Sequence, residues 1–121
     1  MSELPKHVKD NSCEELAAFH IIEHFGIAEV KEVLKMWYNF LEPGGMIHIE
    51  TPNFRYHSQL CLSGDEEQAI YYAFGGQLDQ WDYHKTGFTP GILRKALAEA
   101  GFNNIEVIEE SSLTATAYKW K

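Results

Sequence analysis

Two histidines and a glutamate lie close together in the segment AFHIIEHFG, which spans residues 18–26. His20, Glu23 and His24 match the pattern H-x-x-E-H, in which both histidines hold a zinc ion and the glutamate acts as general base. This chemistry requires the two histidines on one face of a continuous helix. A third ligand must come from elsewhere, and Glu99 is a candidate. The pattern raises the hypothesis of a zinc hydrolase.

The surrounding sequence argues against that hypothesis. Residues 13–22 form a short apolar run that suits a buried strand or a helix, and the first strong helical pattern begins only at Ile27. We therefore expect no metal. The positive end of the following helix favours a structural role for Glu23 and His24 at its start. For His20, a structural role and a role in a ligand pocket remain equally open.

His84 is a second candidate for chemistry, in a loop that also contains Trp81, Tyr83 and Phe88. A histidine titrates near neutral pH, so His84 is a candidate general base. The competing interpretation is that the loop packs its rings on the core and leaves the polar groups in water. Three upstream aromatic residues are expected in the core or an interface: Tyr71, Tyr72 and Phe74.

Composition limits the class of protein. The chain has 121 residues, a formal net charge of −8 and 45% hydrophobic residues, which indicates one globular domain. The negative charge disfavours nucleic acid and anionic membranes as partners. Cys13 and Cys61 form no metal-binding spacing, and we expect two free thiols in a reducing compartment. No signal peptide or membrane span is predicted, so we expect a cytoplasmic protein.

Helices and strands follow from periodicity and from turn residues. Residues 27–41 predict an amphipathic helix, which the EPGG segment at 42–45 ends with a glycine cap; residues 46–52 predict a strand. The predicted apolar face of this helix consists of Ile27, Val30, Val33, Leu34, Trp37 and Leu41.

Farther along the chain, residues 65–74 predict a helix. Residues 89–102 predict another, with Thr89 as N-cap, Pro90 in the first turn and Gly101 as the stop. Residues 104–111 and 113–120 predict an antiparallel hairpin. The order of these elements predicts an α/β sheet of about four strands.

Three segments in this order resemble the second half of a class I S-adenosylmethionine-dependent methyltransferase. They are DNSCEELAAFHIIEHF (10–25), VLKMWYNFLEPGGMIHIETPN (33–53) and HKTGFTPGILRKALAEAGF (84–102). The resemblance covers about residues 3–118. It implies a partial Rossmann-like methyltransferase sheet, mixed in direction, flanked by helices and completed by the final hairpin. It also implies that His20 and Ile21 border the cofactor and that residues 53–88 form an insertion shaping the acceptor side.

The sequence lacks one feature of the family that binds the cofactor. The glycine-rich loop of type GxGxG is absent, and neither Gly44–Gly45 nor Gly75–Gly76 follows a predicted strand into a helix. We therefore interpret residues 1–121 as a single, truncated methyltransferase-like domain. S-adenosylmethionine is expected to bind the isolated chain weakly or not at all, and methyl transfer is expected only after completion by another chain. Neither the methyl acceptor nor enzymatic activity itself follows from the sequence.

The alternative is a non-catalytic dimeric assembly or binding module derived from the same fold. Strand 13–19 has no predicted neighbour on one side, where it would present an unpaired edge with Leu16 and Phe19. We expect a second copy of the chain or a complementing chain to cover this edge. No membrane partner is expected.

Overall fold

A mixed sheet of four strands forms the centre of the molecule in the computed structural model, which describes residues 8–80 and 82–121. The strands are β1 (Cys13–Phe19), β2 (Leu41–Pro52), β3 (Asn103–Glu109) and β4 (Ser112–Tyr118). Their spatial order is β1-β2-β4-β3. β1 and β2 are parallel, whereas β4 is antiparallel to both β2 and β3. The predicted α/β fold with a final antiparallel hairpin is confirmed.

Four α-helices accompany the sheet in the described part of the chain. Helix α1 (Ile27–Phe40) connects β1 to β2, α2 (Phe54–Leu62) and α3 (Glu66–Phe74) follow β2, and α4 (Pro90–Ala100) precedes β3. The predicted boundaries of α4 are confirmed: the Thr89 side chain accepts a hydrogen bond from the Ile92 amide, and Gly101 has φ of 110°. None of the described helices has the length and apolar character needed to cross a membrane.

The hydrophobic core lies between one face of the sheet and helices α1 and α4. Alternate residues of β2 and β4 point into it, since side chains alternate between the faces of a strand. The fully buried members include Val33, Leu34, Ile47, Ile49, Leu93, Leu97, Leu113, Ala115 and Ala117. Ile27, predicted on the apolar face of α1, is instead 74% exposed. It occupies the first position of the helix, ahead of the turns that contact the sheet.

The opposite face of the sheet is polar and open to solvent in the described structure. One row across it runs from Ala17 through His48 and Thr116 to Glu106. These residues are exposed or half-buried, whereas their neighbours along β2 and β4 are buried. The edge of β1 that faces away from β2 pairs with no other described strand. The described part of the sheet thus has one covered face, one open face and two edges, at β1 and β3.

The segment Glu42–Gly45 is part of a strand and not the cap of a helix, which corrects the prediction from the sequence. Helix α1 ends at Phe40, and Leu41 is already extended with φ of −71° and ψ of 140°. The pairing with β1 shifts between Cys13–Leu41 and Glu15–Met46, so the intervening residues bulge out of β2. Gly44, with φ of 85°, provides the left-handed backbone that the bulge requires.

Helix α2 was not predicted, whereas α3 confirms the helix expected at residues 65–74. The start of α2 carries a recognisable signal, because the Asn53 side chain accepts a hydrogen bond from the Arg55 amide. Cys13 and Cys61 are both free, as expected. Residues 1–7 and Trp81 lie outside the described residues.

The Gly45→Ala substitution should destabilise the fold, by about 1–3 kcal/mol as for other overpacked sites. A Cβ atom at this position would lie 2.9 Å from the Glu42 carbonyl oxygen and 3.1 Å from that of Cys13. The control is Gly91→Ala, where an added Cβ meets nothing within 4 Å. Denaturant unfolding should show a loss of stability for the first variant alone, and equal stabilities would contradict the close approach at the bulge.

Candidate functional site

The candidate site lies where β1 and β2 end. Because these two strands are parallel, their carboxyl ends reach the same edge of the sheet, with Phe19 opposite Glu50. In open α/β sheets, ligands bind outside the carboxyl ends of the strands. The chain leaves β1 through His20 and a short 3-10 turn at Ile22–His24, and β2 ends with Thr51 and Pro52. These segments supply the side chains of the site.

His20 is held in an uncommon conformation at the end of β1. Its φ is 57°, a left-handed backbone that costs a non-glycine residue about 1–2 kcal/mol. Two contacts with Glu50 fix it there: the His20 amide donates to the Glu50 carbonyl oxygen at 2.7 Å, and Nε2 lies 3.2 Å from the Glu50 carboxylate. The imidazole remains half exposed, as does the side chain of Ile21. His20 and Ile21, the two residues predicted to border the cofactor, are therefore accessible to solvent at the carboxyl end of β1.

Glu23 is a buried carboxylate that links the turn to β2. Its side chain is 2% exposed, and one oxygen, Oε1, accepts a hydrogen bond from the Thr51 hydroxyl at 2.9 Å. The predicted structural role at the start of α1 is wrong for this residue. Glu29 has that role, since its carboxylate accepts a hydrogen bond from the Gly26 amide at 3.0 Å. Glu23 instead points toward the interior of the site.

The loop before α4 is fastened to the same turn. The Glu23 carbonyl oxygen accepts hydrogen bonds from the amides of Lys85 at 2.8 Å and of Thr86 at 3.3 Å. This docking brings His84 against His24, and their ring centroids are 4.9 Å apart at an interplanar angle of 84°. His84 thus joins the histidine pattern seen in the sequence, although sixty residues separate it from His24.

The H-x-x-E-H residues do not form the zinc-hydrolase arrangement. His20 directly follows strand β1 and His24 ends the 3-10 turn, so no continuous helix carries the two rings. Among the described residues, a different trio could hold a metal ion: potential ligand atoms of Glu23, His24 and His84 all lie within 4.8 Å of one another. Glu99, the candidate third ligand, is not part of this group.

A small cavity of about 20 Å³ lies beside this trio, enough for roughly one water molecule. Glu23 and His84 line it together with His57 and Tyr72. His57 is buried, stacks on Tyr72 with ring centroids 4.2 Å apart, and has no hydrogen-bond partner for Nδ1. Burial lowers the pKa of His57 from 6.5, opposed by a backbone hydrogen bond with Ser111. Sequence reasoning missed both His57 and Thr51.

The aromatic residues of α3 were expected in the core or in an interface, and the structure places them outside the core. Tyr71 and Phe74 are more than half exposed, so they do not belong to the core, whereas Tyr72 is half-buried against His57. In the loop, Phe88 is buried and Tyr83 is exposed. The exposed Phe74 ring borders an open groove of about 440 Å³ between α2 and α3. This apolar groove lies within the predicted acceptor-side region, residues 53–88.

Comparison of this structure with solved structures shows the fold of part of an S-adenosylmethionine-dependent methyltransferase. A methyltransferase of this kind from Archaeoglobus fulgidus is 17% identical, with a TM-score of 0.68 over 94% of this chain and 62% of the other. One from Thermotoga maritima is 14% identical, with a TM-score of 0.68 over 95% of this chain and 59% of the other.

Human N-acetylserotonin methyltransferase, solved in complex with S-adenosylmethionine, is 14% identical with a TM-score of 0.67. The alignment covers 98% of this chain and 33% of the human enzyme. The chain therefore spans between a third and about three fifths of the length of these structures. No protein-family model and no curated protein sequence matches it.

The lowered pKa of His57 predicts a dependence of stability on pH. Between the folded-state pKa and the usual value of 6.5, the unfolded chain binds more protons than the folded one. The free energy of unfolding should therefore fall on acidification below about pH 6.5, by at most about 1.4 kcal/mol per pH unit from this residue. His57→Gln should reduce that slope in urea unfolding measured between pH 5 and 7.

His48→Gln is the control for this experiment, since His48 lies on the open face of the sheet, 3.1 Å from Glu15. The reduction in slope expected for the His57 variant should not appear in the His48 variant. An unchanged slope in the His57 variant would contradict the assignment of this pH dependence to the buried imidazole.

Proposed function

We propose that this chain is the C-terminal part of an S-adenosylmethionine-dependent methyltransferase that transfers methyl groups only when further polypeptide completes its sheet. The observation that carries the proposal is the strand order β1-β2-β4-β3 with an open edge at β1. Solved methyltransferases match this fold over 94–98% of this chain but over only 33–62% of their own chains. The added polypeptide can belong to the same protein, to a second copy or to a complementing chain.

On the cofactor side, the proposal assigns His20 and Ile21. Both follow β1 directly and are accessible at the carboxyl edge of the sheet. The left-handed conformation of His20 supports a functional role, since strained backbone clusters at ligand sites. These two residues provide one wall for the cofactor. The remaining contacts must come from a glycine-rich loop, because glycine lets the backbone approach a nucleotide closely.

On the acceptor side, the proposal assigns the insertion at residues 53–88 and the His84 imidazole as a candidate base. The cofactor would supply an electrophilic methyl group on a sulfonium. The acceptor atom would take this methyl group and lose a proton, while the S–CH3 bond breaks and the sulfur leaves as a neutral thioether. The Nδ1 atom of His84 lies 2.8 Å from the Tyr72 carbonyl oxygen. A carbonyl can only accept, so Nδ1 donates and Nε2 keeps a lone pair that can take up this proton.

The second candidate function is a non-catalytic dimeric assembly or binding module. Two observations favour it: the open β1 edge with the exposed Phe19, and the positions of the glycine pairs. Gly44–Gly45 lies inside β2 and Gly75–Gly76 follows α3, so neither pair forms a phosphate-binding turn between a strand and a helix. On this hypothesis the edge of β1 pairs with a second copy of the chain, and no cofactor binds.

Titration calorimetry with S-adenosylmethionine should separate the two functions. The isolated chain should bind no tighter than about 1 mM, since it provides one wall of the site. Coexpression with a polypeptide that carries a glycine-rich strand–loop–helix segment should yield a complex that binds the cofactor at least about tenfold more tightly, a gain of about 1.4 kcal/mol.

Within that complex, His20→Ala should weaken cofactor binding, whereas His48→Ala on the open sheet face should not. Tight binding by the isolated chain would contradict the need for completion. A complex that forms but binds no cofactor would instead favour the assembly module.

Pairing through the β1 edge predicts the effect of a charge placed there. Phe19→Lys should weaken self-association, or association with a complementing chain, at least about tenfold, because a lysine on an edge strand opposes strand addition. Size-exclusion chromatography with light scattering measures the change. The matched control is Ile108→Lys, since Ile108 lies in the same row of the sheet at the opposite edge and is 51% exposed, against 55% for Phe19.

A wild-type chain that stays monomeric at micromolar concentration would contradict the homodimer. Equal effects of the two substitutions would contradict pairing at β1.

A further inference from the structure

We propose that Glu23, His24 and His84 form a binding site for a divalent first-row transition-metal ion. They offer one carboxylate oxygen and two imidazole nitrogens, and their potential ligand atoms all lie within 4.8 Å of one another. The three residues come from two segments that the Glu23 carbonyl oxygen joins through the Lys85 and Thr86 amides. The inference does not depend on the proposed methyl transfer.

The buried carboxylate is the first argument for a cation. Glu23 is 2% exposed, and only its Oε1 atom has a hydrogen-bond partner, the Thr51 hydroxyl at 2.9 Å. The other oxygen, Oε2, is buried without any hydrogen bond. Its nearest basic neighbours, Nδ1 of His20 and Nε2 of His24, are 3.8 and 3.9 Å away. A buried carboxylate oxygen is costly unless it is paired or bound to a metal.

The orientation of the two histidines is the second argument. Nδ1 of His24 lies 3.1 Å from the Tyr83 carbonyl oxygen, and Nδ1 of His84 lies 2.8 Å from that of Tyr72. Since a carbonyl oxygen only accepts, both Nδ1 atoms donate, and each neutral ring presents its Nε2 lone pair. Metal-binding histidines are commonly fixed in this way, with the second nitrogen donating to a carbonyl or carboxylate.

The donor set indicates the class of metal. Two imidazole nitrogens and one carboxylate oxygen suit Zn²⁺, Co²⁺ or Fe²⁺, whereas Ca²⁺ and Mg²⁺ prefer oxygen ligands alone. Three protein ligands would leave further coordination positions open, and Glu23 and His84 also line the small cavity. In contrast to a zinc hydrolase, Glu23 is here a ligand itself. A bound ion would occupy Nε2 of His84 and thereby exclude its action as a general base.

Metal titration of the tag-free chain, after treatment with a chelator, tests the site. Co²⁺ should bind with one ion per chain and give visible absorption bands, and Zn²⁺ should displace it in calorimetric competition. His84→Ala and Glu23→Gln should each weaken binding at least about tenfold, the size of effect seen for residues around metal centres. His48→Ala should keep wild-type affinity, because this histidine pairs with Glu15 outside the trio.

Absence of Co²⁺ and Zn²⁺ binding by the wild type, or undiminished binding by both site variants, would overturn the proposal. X-ray absorption of the zinc-loaded wild type gives a second test that needs no variant. The site predicts a shell of nitrogen and oxygen with two imidazoles. A shell that contains sulfur, as Cys13 or Cys61 would supply, would equally overturn it.

Discussion

The parallel pairing of β1 with β2 determines most of this structure. Parallel neighbours need a crossover between them, and α1 provides it while covering one face of the sheet. The same pairing brings two carboxyl ends to one edge, where the turn after β1 meets the end of β2. The hydrogen bond from Thr51 to Glu23 joins these two ends directly. The candidate site therefore exists because β1 and β2 run in the same direction. The antiparallel hairpin of β3 and β4, on the other side of the sheet, contributes mainly to the core.

Burial of Glu23 connects the packing of the site with its chemistry. A carboxylate with one satisfied and one unsatisfied oxygen is stable only where a compensating charge or proton is available. Three imidazoles surround or approach it: His20 and His24 from its own turn, and His84 from the loop. The methyltransferase proposal uses the accessible edge of this region, at His20 and Ile21. The metal proposal uses its interior. The two proposals meet at His84, whose Nε2 atom serves either as the base or as a metal ligand.

Much of the fold follows from local sequence signals. Thr89, Pro90 and Gly101 mark both ends of α4, and the apolar spacing of Val30, Val33 and Leu34 gives the buried face of α1. The bulge at Gly44 does not follow, because a Pro-Gly-Gly turn after a helix has the same local pattern whether it caps the helix or interrupts the next strand. Helix α2 is missed since its mixed polar and aromatic residues show no clear apolar period.

The site is less predictable than the fold, because its parts are distant in sequence. The sequence shows that His20, Glu23 and His24 are close together. It does not show that a strand ends just before them, at Phe19, so that they lie in a turn and not on one helix. His84 reaches them only through tertiary docking, and Thr51 and His57 carry no motif at all.

The Glu23 carbonyl oxygen accepts hydrogen bonds from two amides of the loop, and His24 Nδ1 lies 3.1 Å from the Tyr83 carbonyl oxygen of the same loop. Undocking the loop from the turn breaks all of these contacts. A ligand that binds the Glu23 carboxylate only when the loop is docked therefore raises the affinity for any second ligand that also needs the docked loop. By thermodynamic linkage, the second ligand raises the affinity for the first by the same factor.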